Sequence, residues 1–82
     1  MKTLYDRRIR LGLSIAKASA LSGINYYKIS SLEKSDRPEY SPSFHQYDQM
    51  LLAEEKRLYR ELRHDIKARQ STEETYVLSP NP

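Results

Sequence analysis

Ser14-Ile15-Ala16-Lys17-Ala18-Ser19-Ala20-Leu21-Ser22-Gly23-Ile24-Asn25-Tyr26-Tyr27-Lys28-Ile29-Ser30-Ser31-Leu32-Glu33-Lys34 holds two helical patterns separated by a single glycine. Ser14 is suited to open the first, because its hydroxyl oxygen accepts from a first-turn amide that the helix leaves unpaired. Ile15 to Ser22 is rich in alanine, the best helix former. Gly23 stops that helix, since glycine takes a positive φ without steric cost. Asn25 caps the next, about Tyr26 to Lys34, with Ile29 and Leu32 on its inner face.

The spacing within this stretch is informative. Counting Ile15 as the first of 20 positions, Ser19 is the fifth, Gly23 the ninth and Ile24 the tenth, while Ile29 and Leu32 are fifteenth and eighteenth. Two short helices meeting at a sharp angle need a small residue where they touch, a positive φ in the turn, and apolar residues after it. That pattern matches a helix-turn-helix, whose second helix presents its outer face to the major groove of DNA.

Working outward, Thr3-Leu4-Tyr5-Asp6 reads as a capping-box variant, with Asp6 favourably placed in the positive first turn. Leu4, Arg8 and Leu11 share one face, and Gly12 ends a helix over about 4–11. On the other side, Ser35-Asp36-Arg37-Pro38-Glu39-Tyr40 is loop-like, with Pro38 opposing helix through it. Two starts compete for the next helix: Ser41 as cap with Pro42 at the first position, or Ser43 in a capping box with Gln46. Phe44, Tyr47 and Leu51 recur at helical spacing, and no breaker follows before Ser71. Helix therefore continues, with or without a kink near residues 52–54. Leu58, Leu62 and Ile66 form an i, i+4, i+8 stripe, and Arg57–Glu61 and Asp65–Arg69 are opposite charges at i, i+4. From Ser71 the chain turns polar and reads as a flexible tail over 71–82, with Thr75-Tyr76-Val77-Leu78 a candidate short strand. The expectation is an all-α protein of five helices: one domain over residues 1–70, its helix-turn-helix unit at 14–34, its C-terminal helix at about 54–69, and the tail.

Composition sets bounds. At 82 residues the chain is near the lower size limit for burying its own core. It has no cysteine, which excludes disulfides and thiolate metal sites. There is no run of about 18 apolar residues to span a membrane and no secretory apolar core at the N-terminus, which points to the cytoplasm. Net charge is +3, and it is uneven: residues 1–40 hold eight Lys/Arg against four Asp/Glu, residues 41–82 six against seven. The basic excess of the first half suits a polyanionic partner. Catalytic chemistry is not expected. His45 and His64 lack ligand-type spacing, His64 and Asp65 point apart on a helix, and no serine sits in a nucleophile elbow. No glycine loop cradles phosphate, so neither metal nor cofactor is implied.

Arg8-Ile9-Arg10-Leu11-Gly12-Leu13-Ser14 resembles the end of the first helix in the Cro/repressor (XRE-like) helix-turn-helix family of phages, plasmids and bacteria, and Ser30-Ser31-Leu32-Glu33-Lys34 resembles the end of that family's recognition helix. The resemblance covers roughly residues 3–53 without a gap in the central unit. It implies a compact lambda-repressor-like fold, location in the bacterial cytoplasm or nucleoid, and an Arg8–Glu33 pair bracing the first helix against the third. It further implies base-reading by Tyr26, Tyr27 and Ser31, with Lys28 reaching a base or a phosphate. Of the tyrosines, one is also a candidate core residue, Tyr27 before Tyr26. Ser14, the Ile15 amide, Asn25, Lys34 and Arg37 are candidate backbone contacts, which position a protein on DNA without reading sequence. Several residues depart from the family pattern. Ser22 and Ala18 stand where larger apolar residues are usual, leaving a thin core for Phe44 and Tyr47 to fill. Ile15 replaces a polar residue, and the loop at 35–41 is longer.

The resemblance implies a homodimer, because one recognition helix buries too little for strong specificity. Leu58, Leu62 and Ile66 are the candidate dimer face; the competing reading folds this stripe back onto the N-terminal core. The functional expectation is a repressor that occludes a promoter by placing helix 26–34 in the major groove of a near-palindromic operator. Two alternatives stand beside it. One is an antitoxin whose residues 54–82 capture a toxin; the other is a protein-interaction module anchored by Tyr26 and Tyr27.

Overall fold

Thr3 opens the first helix through a reciprocal cap: the Asp6 amide donates to Thr3 Oγ1 at 3.1 Å and the Thr3 amide to Asp6 Oδ2 at 3.2 Å. The computed structural model describes the backbone of residues 3–78 and side chains through Arg69. Helix α1 (Leu4–Arg10) ends before Gly12, whose φ of 70° turns the chain. Helix α2 (Ile15–Ser22) begins where Ser14 Oγ accepts from the Lys17 amide at 3.0 Å, and Gly23 ends it at φ 73°. Asn25 Oδ1 accepts from the Tyr27 amide at 2.8 Å and starts α3 (Tyr26–Lys34) only three residues after α2. The loop that follows contains one 3-10 turn, Pro38–Tyr40, in which proline occupies the first position where no amide is needed. Helix α4 runs from Phe44 to Leu78.

The described residues therefore form four α-helices, not five, and the all-α class holds. The expected separate helix at 54–69 is part of one 35-residue helix. No glycine or proline interrupts it, and next to residues 52–54, where the sequence left a kink open, Arg57 forms ion pairs to Glu54 at 2.8 Å and Glu61 at 2.7 Å. The helical backbone also occupies 71–78, where a tail or a short strand was expected; residues 79–82 lie outside the described residues. At its start, Pro42 precedes the helix rather than entering it. The Ser43 amide turns back to Ser41 Oγ at 3.4 Å, and the Gln46 amide group donates to the Ser22 carbonyl at 2.6 Å instead of closing a capping box.

The core lies between α1, α2, α3 and the first two turns of α4. Leu4, Ala18, Ile24, Ile29 and Leu32 meet Tyr47, Met50 and Leu51 there, and Phe44 packs at its edge. Tyr47 is fully buried and supplies the bulk that α2 lacks with Ala18 and Ser22. Buried Ser22 carries no orphan polar atom: its hydroxyl donates to the Ala18 carbonyl at 2.7 Å and accepts from the Ile24 amide at 3.2 Å. Across the same turn, Ser19 Oγ donates to the Ile24 carbonyl at 2.5 Å. Ser19 is thus both small enough for the helix contact and a clamp on the turn.

The expected compactness ends at Leu58, which is half-buried. Every described side chain from 59 to 69 is exposed. At about 1.5 Å per residue α4 is about 52 Å long, which accounts for a long dimension of 64 Å. Among the described residues, no helix is long and apolar enough to cross a membrane.

Candidate nucleic-acid interface

The orientation of α3 is set by a charged contact beneath it. Arg8 donates from Nε and Nη2 to the two oxygens of Glu33, at 2.7 and 3.0 Å, so the pair is bidentate. Arg8 Nη1 also donates to the Leu13 carbonyl at 2.9 Å, and Tyr47 Oη donates to Glu33 Oε2 at 2.6 Å. Only 7% and 5% of the two charged side chains is exposed. This one cluster joins α1, the α1–α2 turn, α3 and α4. The bond to Glu33 raises the pKa of Arg8, and burial, then the Glu33 bond, pushes that of the Tyr47 hydroxyl up.

With Ile29, Leu32 and Glu33 turned inward, the opposite side of α3 faces out. Tyr27, Ser31 and Lys34 lie at i, i+4 and i+7 and are all exposed, so they share one ridge. Tyr26 and Lys28 flank it. Neither tyrosine enters the core: Tyr27 is 79% exposed and Tyr26 49%. Their rings pack edge to face with centroids 5.5 Å apart, which restrains both. The reading in which Tyr27 turns inward is therefore corrected; the tyrosine in the core is Tyr47, reaching in from α4.

The candidate backbone contacts lie near the ends of α2 and α3. Ser14 and Asn25 use their side-chain oxygens as caps, leaving the Ser14 hydroxyl proton and the Asn25 amide protons available. Ile15, the first residue of α2, packs its side chain partly against the core. Lys34 is exposed at the end of α3, whereas Arg37 stands over the Tyr40 ring at 5.9 Å. The C-terminal stripe divides. Leu58 and Leu62 line a groove of about 420 Å³ with Arg7, Arg10 and Leu11, whereas Ile66 does not line it and is about half exposed. Folding back of the whole stripe is excluded, because an unbroken helix carries its outer half away from the domain.

Sequence reasoning missed a second charged junction. Arg7 Nη1 donates to Asp48 at 2.7 Å, while Nε and Nη2 grip Glu55 at 3.0 and 2.7 Å. The bonds to Glu55, then Asp48, raise the pKa of Arg7. The signal was present, since Asp48 and Glu55 are i, i+7 on one face of α4, but only the fold says which cation faces them. Tyr47 was read as core filler alone; its bond to Glu33 has no sequence signature. Among the described residues, no group of three His, Cys, Asp or Glu side chains is placed to hold a metal ion.

Comparison with known proteins finds no matching family model, no matching curated protein and no matching solved structure. The described residues form an all-helical protein with a short helix pair joined by a three-residue turn and one long projecting helix.

Proposed function

We propose that this chain is a sequence-specific DNA-binding regulator of the Cro/repressor helix-turn-helix type. The observation that carries the reading is the division of α3: Ile29, Leu32 and Glu33 lock its inner face, while Tyr27, Ser31 and Lys34 form an exposed outer ridge. A single helix fits the major groove, which is about 12 Å wide. Tyr27 and Tyr26 offer a hydroxyl to base or phosphate acceptors and a ring face to thymine methyls. Ser14, the Ile15 amide, Asn25, Lys34 and Arg37 hold the backbone. With two tyrosines and a serine in place of long bidentate side chains, recognition draws on apolar contact and on DNA shape. The regulator acts as a homodimer that covers a near-palindromic operator and excludes polymerase, its recognition helices about 34 Å apart. Exposed Tyr59, Leu62 and Ile66 on α4 supply the dimer face, with Leu58 at its inner end.

Selection from a random-sequence duplex pool tests this. Tyr27→Ala and Tyr26→Ala are expected to change the selected motif, and Lys34→Ala to weaken all sequences alike. Absence of any enriched motif at low salt sinks the proposal. Sedimentation of Leu62→Glu/Ile66→Glu tests the dimer face, with a monomer expected. The same exposed apolar residues also support the antitoxin reading, in which a toxin covers them. Co-purification of a second small protein, with Leu62→Glu abolishing its capture but not self-association, would favour that reading.

A further inference from the structure

Lys56, Arg60, Arg63 and Lys67 recur at i, i+4, i+7 and i+11 along α4, which places all four on one line of the helix surface. All four are exposed, and none makes an ion pair with a described residue. The neighbours three and four positions away explain why: around these four residues not one is acidic. Instead the cations neighbour each other, Lys56 with Arg60, Arg60 with Arg63, and Arg63 with Lys67. Such like-charge pairs destabilise a helix. The acids of this segment are placed elsewhere: Glu54 and Glu61 both pair with Arg57 on a different face, and Glu55 is held by Arg7. The near-neutral total of the C-terminal half thus conceals a segregated cationic line.

We infer that this line is a second nucleic-acid contact, tracking the phosphate backbone of duplex DNA without reading its sequence. The line spans eleven residues, about 16 Å at 1.5 Å per residue, which is the length of roughly five phosphates along one DNA strand. A lipid surface fits less well. Interfacial helices bury a broad apolar face, and from 59 to 69 this helix offers only Tyr59, Leu62 and Ile66 as large apolar groups. Those three lie roughly a quarter turn around from the cationic line, so self-association through them leaves the line open on both copies. The inference rests on the DNA-binding reading of α3 and adds a contact that the recognition helix does not make.

The test is the salt dependence of binding of the full chain to duplex DNA, comparing wild type with Lys56→Gln/Arg60→Gln/Arg63→Gln/Lys67→Gln. Glutamine keeps helix propensity, and far-UV circular dichroism checks that the helix survives. Each phosphate contact contributes about 0.9 to the slope of log K against log salt. The expected result is a slope shallower by at least about 2, with the selected motif unchanged. Arg57→Gln, which removes a cation already paired, is expected to leave the slope as in wild type. A quadruple variant with wild-type slope and affinity overturns the inference while leaving the α3 reading intact. Binding to anionic phospholipid vesicles that depends on the four cations, with the DNA slope unaltered, also overturns it and assigns the line to a membrane. Loss of slope on random duplex in a protein that selects no motif supports the cationic line and refutes sequence-specific reading by α3. A wild type with no salt-dependent affinity for DNA refutes both.

Discussion

Replacing Arg8 with methionine removes the cation from Glu33 while keeping an unbranched apolar stem in the core. The Glu33 carboxylate is then left with Tyr47 as its remaining bond among the described residues, in a site where only 5% of its side chain is exposed. Removing one member of a buried pair typically costs about 3–5 kcal/mol, because the other charge stays buried and uncompensated. At about 0.05–0.15 kcal/mol per residue the whole chain is worth about 4–12 kcal/mol, so Arg8→Met consumes a large share of it. Arg8→Met/Glu33→Met removes both charges and leaves the neutral Leu13 carbonyl and Tyr47 hydroxyl short of partners, each a smaller loss of about 1–3 kcal/mol. The double variant is therefore less destabilised than the sum of the singles, with a coupling of about 2 kcal/mol or more. Urea unfolding followed by circular dichroism, at one fixed protein concentration, measures this; at about 1–3 kcal/mol per molar the Arg8→Met midpoint falls by about 1 M or more. Single variants costing under about 1 kcal/mol, with an additive double, would refute the reasoning and return the pair to the status of a solvated contact.

Three further outcomes follow from the same geometry. The Tyr47 hydroxyl ionises at a higher pH in the folded than in the unfolded chain, so its contribution is fully present below about pH 10 and is lost as pH rises above that. Stability should fall towards a slope of about 1.4 kcal/mol per pH unit well above pH 10, and Tyr47→Phe, measured by urea unfolding across pH 8–11, should flatten that fall. Gly23→Ala should cost about 1–2 kcal/mol because an L side chain strains at positive φ; the added Cβ itself has room, 3.5 Å from Gln46 Nε2, so Gly23→Asn should recover part of the loss in thermal melts. Arg7→Gln, at a junction more open than that of Arg8, should cost about 1–2 kcal/mol, with the deficit shrinking as salt rises from 0.05 to 0.5 M. A deficit independent of salt would mean that packing of the Arg7 stem, not its charge, holds α4 to α1.

Local chemistry made much of the N-terminal half legible. Thr3, Ser14 and Asn25 cap helices because their side-chain oxygens reach first-turn amides a few residues ahead, and Gly12 and Gly23 turn the chain because positive φ is nearly free only for glycine. These effects act over three or four residues, so the order and bounds of α1 to α3, and the inward positions of Ile29 and Leu32, could be read directly. The C-terminal half was misread where local signals were weak. Lack of a breaker permits a long helix but does not demand one, and a polar composition after Ser71 is shared by tails and by exposed helices.

What the sequence by itself determined is the set of short elements, their caps and their apolar faces, all products of neighbouring residues. What only the tertiary structure decided is which distant groups meet. Tyr47 rather than Tyr27 is the tyrosine in the core and closes the Arg8–Glu33 pair. Asp48 and Glu55 face Arg7 and fix the direction of α4. The outer half of α4 stands clear of the core with an apolar edge and a cationic line exposed. Those outcomes depend on packing between segments far apart in the chain, where burial and charge pairing are settled by the whole fold.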